Sequence, residues 1–195
     1  DTVHRNIEKL EAIIGDFLNV QRIEANKIVS PYPTDIKALV DEIMGDMDKI
    51  IENKKASIKS SFFVKDSNNY IDIDSDKIKT LLKNLFENAL IYNDKENPEI
   101  NLIVEESRNA IKFKVKDNGI GMPEKELNRI FDRFYRVDKA RTTNIAGTGL
   151  GLSIVKEIVD VHKGEKKVYS EEGKGTEFVV TIPKWVRVAH FFIYK

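Results

Sequence analysis

Apolar residues recur with two different periods along this chain, and the changes of period divide it into elements. From residue 1 to about 29, Ile7, Leu10, Ile14 and Phe17 stand three and four apart, Ile13 and Leu18 widen the stripe, and there is no Pro and a single Gly. This spacing predicts one long helix whose apolar face needs a partner. Gln21 and Glu24 interrupt the strict register, while Ile23 and Ile28 stay apolar. The partner is either the helix's own domain or the other helices of a multi-chain bundle, and the breadth of the stripe favours the bundle.

Ser30-Pro31-Tyr32-Pro33 breaks the helix and makes a short, stiff connection, the best domain boundary in the chain. Thr34 and Asp35 can cap a second helix bearing Ile36, Leu39, Val40, Ile43, Met44 and Met47. Residues 57–64 and 70–74 read as strands. Asp74-Ser75-Asp76 then caps a helix running to about Tyr92. Residues 99–104 and 110–116 alternate with period two, Ile111, Phe113 and Val115 facing one way and Lys112, Lys114 and Lys116 the other. That pattern describes a sheet covered on one face only. Pro123 is expected to open a short helix through Ile130. Residues 135–148 are polar, carry several cations and lack periodicity, which predicts a mobile loop of the functional kind. A helix over 149–162 and strands at 168–170 and 177–182 follow. The apolar, aromatic tail 185–195 either packs back on the core or is an added remnant.

Composition narrows the setting. The chain has 195 residues, 41% of them hydrophobic, with 32 basic and 32 acidic side chains and no cysteine. Balanced charge gives no net field toward nucleic acid or an anionic membrane. Absent cysteine removes disulfides and thiolate chemistry, and His4, His162 and His190 are too scattered for a metal cluster. No apolar run approaches the roughly 20 residues of a membrane span. The start has neither signal-peptide character nor an initiating Met, so a piece of a longer, cytoplasmic chain is expected.

Three clusters carry candidate chemistry. Asp117-Asn118-Gly119-Ile120-Gly121-Met122 ends a strand with a carboxylate and two closely spaced glycines, which puts an acceptor at a pocket floor that a flat ligand can approach; it is also ordinary turn chemistry. Asn84 and Asn88 lie four apart on one helix face among Leu81, Leu85 and Ala89. They bond a neighbouring strand, or they offer the hard oxygen that suits Mg²⁺. Tyr92, one turn on, can stack on a flat heterocycle or sit at the core edge. Gly147-Thr148-Gly149-Leu150-Gly151-Leu152-Ser153 leads into a helix, where bare N–H groups form a phosphate site. It is neither a P-loop nor a Rossmann fingerprint. Gly173-Lys174-Gly175-Thr176 would pass for a hairpin turn.

In this order the pieces resemble the ATP-binding domain of sensor histidine kinases, of the superfamily shared with gyrase, Hsp90 and MutL. Residues 84–89 resemble the N box, 117–122 the first glycine box, 130–138 the F box, 147–153 the second glycine box and 173–176 the last. Residues 18–27 resemble the end of the second helix of the dimerisation bundle. The resemblance implies an α+β fold, a two-layer α/β sandwich of Bergerat type with a mixed sheet covered by helices on one face. It divides the chain into a bundle helix at 1–30, a catalytic domain at 31–184 and a tail. Its implied cofactors are ATP and Mg²⁺, and its implied activity is phosphoryl transfer to a histidine for relay to a response regulator, by a homodimer built on the N-terminal helix.

The resemblance also implies residue roles. Asp117 would accept from the adenine amino group, Tyr92 would stack, and Gly119, Ile120, Gly121 and Met122 would wall the base. Asn88 would hold Mg²⁺ with Asn84 beside it. Arg136, with Gly147, Thr148, Gly149, Leu150 and Gly151, would meet the phosphates. Phe131 and Phe134 would anchor the root of a lid at 135–148, and Thr176 would complete the base site. Two departures stand out. Ile91 occupies a place where the family often has a cation, for which Lys95, Lys139 or Arg141 would substitute. No acceptor-histidine box is present, so self-phosphorylation is not expected. The alternatives are a conformational ATPase, disfavoured because Asn84 stands where those relatives carry a basic Glu and an amide cannot act as a general base, and an anti-sigma-type serine kinase.

Overall fold

The chain folds in the order α1 (Thr2–Ala25), β1 (Tyr32–Asp35), α2 (Ile36–Lys54), β2 (Ser57–Phe63), β3 (Tyr70–Ile73) and α3 (Ser75–Ile91). It continues with β4 (Glu99–Glu106), β5 (Ala110–Asp117), α4 (Gly151–Val161), β6 (Glu165–Glu171) and β7 (Gly175–Pro183). The computed structural model describes residues 2–65, 70–137 and 147–184, excepting the side chains of residues 2–6, 8 and 9.

Strands with one apolar face need cover on one side only. Five of them form a sheet in the order β2-β4-β5-β7-β6. β2 and β4 are parallel and the other neighbours antiparallel, so the sheet is mixed, as expected. Ile100, Leu102, Ile111, Phe113, Val115, Phe178 and Val180 share one buried core with Ile43 of α2, Leu81, Leu85 and Phe86 of α3, and Ile154 and Ile158 of α4. Each fully buried aliphatic or aromatic side chain there contributes about 1.5–3 kcal/mol. The opposite face carries the lysines, with Lys114 bound to Glu105 at 2.8 Å.

Both predicted caps form. Asp35 Oδ1 accepts from the N–H groups of Lys37 and Ala38 at 2.9 and 3.1 Å. Asp74 Oδ1 accepts from Lys77 N at 3.1 Å. Elsewhere the elements differ from expectation. The helix expected at 123–130 is a 3₁₀ turn at Glu124–Glu126 followed by further i→i+3 bonds, Arg129 N to Glu126 O and Asp132 N to Arg129 O. Its segment buries only Ile130, too little apolar surface to hold a longer helix. The Pro-rich connection includes a strand: β1 pairs antiparallel with β3 as a separate two-stranded sheet. An edge position tolerates Pro33, which has no N–H to give. β6 is longer than 168–170 because Lys166 and Lys167 obscured its alternation. The tail 185–195 and the centre of the loop at 138–146 lie outside the described residues.

Helix α1 meets the domain at its C-terminal half. Val20 and Ile23 are buried in the common core, whereas Ile7, Leu10, Ile14, Phe17 and Leu18 remain exposed. The connection after it is clamped. Asp74 Oδ2 accepts from Ser30 N at 3.1 Å and from Lys77 Nζ at 2.9 Å, while Lys77 Nζ also donates to Ile28 O at 3.0 Å. Burial pushes the Asp74 carboxyl up, but the Lys77 ammonium and the N–H groups of Ser30 and Lys77 more than offset it and hold it below the ordinary value. Its stabilising contribution is therefore present above about pH 4 and lost as pH falls through the lower, folded value. Asp74→Ala, which removes a cap and the clamp together, should destabilise the chain by about 1–2 kcal/mol in urea unfolding at pH 7, and by less at pH 3.

Candidate functional site

The site grows from the end of β5. Asp117 is buried there, and its Oδ1 accepts two backbone N–H groups, Gly119 at 2.8 Å and Thr176 at 3.2 Å. Among the described residues none donates to Oδ2. Burial pushes the Asp117 carboxyl up to about 6, with the Gly119 and Thr176 N–H groups pulling the other way. A carboxylate kept dry with one oxygen unused is an acceptor awaiting a donor.

Main chain closes in around it. Ile120 N donates to Tyr92 O at 3.1 Å, and Gly173 N to Ile120 O at 2.7 Å. A Cβ on Gly119 would lie 2.5 Å from Tyr92 O, and one on Gly121, where φ is +62, would lie 2.0 Å from Glu171 O. On Gly175 a Cβ would lie 2.1 Å from Asp117 O. These glycines are required by backbone crossings. Asn118 fastens the loop before β4: its Oδ1 accepts from Asn93 Nδ2 at 2.8 Å and Glu99 N at 2.9 Å. Met122 N donates to Ser170 Oγ at 2.8 Å.

The second glycine cluster sits along the C-terminal half of α3, between Asn84 and Tyr92. The N-terminus of α4 has no side-chain cap, leaving its first N–H groups bare. A Cβ on Gly151 would come within 2.8 Å of Asn84 Oδ1, and one on Gly147 within 3.2 Å of the Tyr92 hydroxyl. Asn84 Nδ2 donates to Thr80 O of its own helix at 2.8 Å rather than to a strand. Asn88 is half-buried, and its side chain makes no hydrogen bond to another described residue. Beside it, burial raises Glu87 and Asp16 adds to the effect, against the pull of Lys83.

The two roots of the loop are joined by Phe134 N to Gly149 O at 2.9 Å and Arg136 Nη1 to Gly147 O at 3.3 Å. Phe131 packs edge-on against Phe178 with centroids 6.4 Å apart. Phe134, by contrast, is exposed, and its backbone makes the join. Thr148 Oγ1 accepts from Leu150 N at 3.2 Å and donates to Asp16 of α1 at 2.7 Å. Arg133 pairs with Glu24 of α1 and approaches Glu157 of α4.

The structure thus brings Asp117, Gly119, Ile120, Gly121, Met122 and Thr176 together at one end, and Asn84, Arg136 and residues 147–151 at the other, with Tyr92 touching both. Phe131 stands at the margin. Lys95, offered as the replacement for a cation at Ile91, donates to Gly173 O at 3.4 Å at the Asp117 end. Asn93 Oδ1 accepts its backbone N–H at 3.1 Å. Lys139 and Arg141 lie outside the described residues. Sequence reading missed Asp16, Asn93 and Ser170, whose places depend on distant partners. Only Ser170 had a local signal, because the hairpin at 171–175 sets it opposite Thr176.

Residues 73–186, more than half the chain, match the family described as histidine kinase-, DNA gyrase B-, and HSP90-like ATPase. The chain belongs to this family. Among family relatives, the sensor histidine kinase WalK of Bacillus subtilis (strain 168) is 47% identical over 115 residues, 58% of this chain and 19% of that protein. WalK of Staphylococcus saprophyticus is 37% identical over 183 residues, 90% of this chain and 28% of the relative. The chain therefore spans less than a third of either. Full-length ShkA, crystallised in complex with AMPPNP, superposes with a TM-score of 0.78 at 25% identity over 95% of this chain and 38% of its own. The catalytic domain of histidine kinase ThkA gives 0.66 at 27% identity over 79% of this chain and 95% of its own.

Two glycines separate crowding from conformation. Gly173→Ala, at φ +79 with nothing within 4 Å, should cost about 1 kcal/mol. Gly121→Ala should cost at least about twice that, because the carbonyl of Glu171 must also move. Thermal unfolding of the two variants side by side measures the difference.

Proposed function

We propose that the chain is the ATP-binding, phosphoryl-donating part of a sensor histidine kinase. The observation that carries this reading is the buried Asp117, whose Oδ2 has no donor among the described residues, beside Tyr92, whose carbonyl accepts from Ile120 N and whose hydroxyl stands close to Gly147 ahead of the uncapped N-terminus of α4. Asp117 accepts from the amino group of adenine. Tyr92, Ile120 and Met122 hold the ring, and Gly119 and Gly121 let the main-chain crossings beside it close. The N–H groups of Gly149 and Gly151 and the Arg136 guanidinium hold the phosphates. The AMPPNP bound to ShkA is consistent with this use of the fold.

The residues fit a magnesium ion bound mainly through the nucleotide. There is no group of three His, Cys, Asp or Glu able to hold a metal among the described residues. Asn88 offers a carboxamide oxygen without a partner among them, and Asn84 stands one turn away. Mg²⁺ ordinarily takes few protein oxygens and completes its shell with phosphates and water. Bound there, it would neutralise phosphate charge. The protein's own contribution is positioning and charge, which is most of what phosphoryl transfer asks.

In this reading residues 1–30 are a bundle helix and 31–184 the catalytic domain. The exposed stripe of α1, Ile7, Leu10, Ile14, Phe17 and Leu18, supports a homodimer through that helix. The phosphoryl group passes to a histidine on another bundle helix and on to a response regulator. No described helix is long and apolar enough to cross a membrane, and a cytoplasmic site of action follows from the kinase reading.

Mixed with Mg-ATP and a separate bundle carrying an acceptor histidine, this chain should transfer label from γ-labelled ATP to the bundle in acid-labile form and acquire none itself. Release of free phosphate without transfer would favour the conformational ATPase. Asp117→Asn should abolish ATP binding by calorimetry while leaving the thermal transition in place, and retained affinity would overturn the role of Asp117. Because the folded pKa of Asp117 is raised, the native state holds its proton more firmly than the unfolded chain, and that stabilisation fades as pH rises through about 6. Binding works the opposite way, since the carboxylate is the stronger acceptor and the proton of the neutral form falls on Oδ2, the oxygen the two N–H bonds leave free. Affinity for adenosine, which has no phosphate to titrate, should rise about tenfold from pH 5 to pH 7.

A further inference from the structure

The hydroxyl of Ser170, on β6, makes three contacts at once. It lies 2.8 Å from Met122 N, 3.0 Å from Gly175 O and 2.9 Å from Thr176 Oγ1. A serine hydroxyl has one proton to give and two lone pairs to receive. Met122 N can only donate and Gly175 O can only accept. One assignment satisfies all three contacts: Ser170 receives from Met122, gives its proton to Gly175, and must then receive the proton of Thr176. Thr176 is buried and adjoins Asp117, to which it donates its backbone N–H at 3.2 Å. With its own proton turned toward Ser170, the Thr176 hydroxyl has lone pairs only to offer any further partner.

We infer that Ser170 is a positioning residue for base discrimination: by receiving the Thr176 proton it makes Thr176 an acceptor, so that Thr176 and Asp117 together present two acceptors to a 6-amino purine. The amino group has two N–H bonds to offer, one for Asp117 Oδ2 and one for Thr176, directly or through a water. A 6-oxo purine sets a carbonyl against two acceptors and is refused. The same hydroxyl fixes Met122, so the wall beside the base and the direction of the Thr176 proton are set by one side chain. This rests on the ATP-binding reading above.

The experiment compares ATP with ITP, which differ at position 6 of the base, by calorimetry on the 195-residue chain. The wild type should prefer ATP. Ser170→Ala frees the Thr176 hydroxyl to rotate and donate, so ATP should weaken about tenfold, the scale of a buried hydrogen bond, while ITP weakens little and the preference narrows. Ser170→Thr, which keeps the hydroxyl, should retain the preference. Thr176→Val, with Ser170 in place, should narrow it as Ser170→Ala does and gives a reading even where Ser170→Ala fails to fold. Equal weakening of both nucleotides in Ser170→Ala, or an unchanged ratio in Thr176→Val, would overturn the inference while leaving the ATP reading intact. A wild type that binds neither nucleotide would overturn both.

Discussion

Two backbone N–H groups converging on one oxygen of Asp117 hold this site together. The Gly119 N–H comes from the turn that follows β5, and the Thr176 N–H from the start of β7. A single buried carboxylate oxygen thus closes a local turn and ties two adjacent strands at their ends. Desolvation opposes keeping a charge there, and the raised pKa records how far the two bonds fall short of full compensation. That shortfall is what a ligand donor can supply. Without the two bonds, Oδ2 would have no fixed direction, and the loops carrying Asn118, Ile120 and Met122 would lose their common reference.

From that point the remaining contacts form a chain of attachment. Asn118 brings the loop after α3 against the glycine turn, which places Tyr92. Tyr92 then relates the two ends of the pocket, with its carbonyl bonded to Ile120 and its hydroxyl near Gly147. The residues flanking 138–146 are joined by main-chain and guanidinium bonds, and Thr148 carries the connection to Asp16 on α1. Arg133 adds a second tie to the same helix. The N-terminal helix is therefore in direct contact with the glycine-rich end of the site, through a carboxylate and an ion pair as well as through buried Val20 and Ile23.

Period and caps were enough to find most of the framework. Ile111, Phe113 and Val115 gave the covered face of β5, and Asp35 and Asp74 marked the starts of α2 and α3. Short elements were harder, because their stability comes from outside them. β1 exists through pairing with β3, which no local pattern around Pro33 reveals. The segment after Pro123 had helix-forming residues but lacked an apolar stripe, and it stayed a 3₁₀ turn. Glycine and carboxylate positions in the site were readable as motifs, with Asp117 and Gly175 as clear cases. Ser170 was missed although the hairpin at 171–175 offered a local signal, since a serine in a strand takes its meaning only from the register that sets it opposite Thr176. The charge of Lys95 was legible but its direction was not, since only the fold sets its ammonium beside Gly173 O.

The glycine crossings have an evolutionary consequence. At Gly119, Gly121 and Gly175 the nearest neighbours are carbonyls of Tyr92, Glu171 and Asp117, so the turns around the site pack main chain against main chain. Packing of that kind is inherited with the path of the chain. Residues behind it can drift without altering the surface that a base meets, provided the few crossings stay free of a Cβ. Such a site should outlast most of the sequence around it, with divergence collecting on the lysine-bearing outer face of the sheet and along α1.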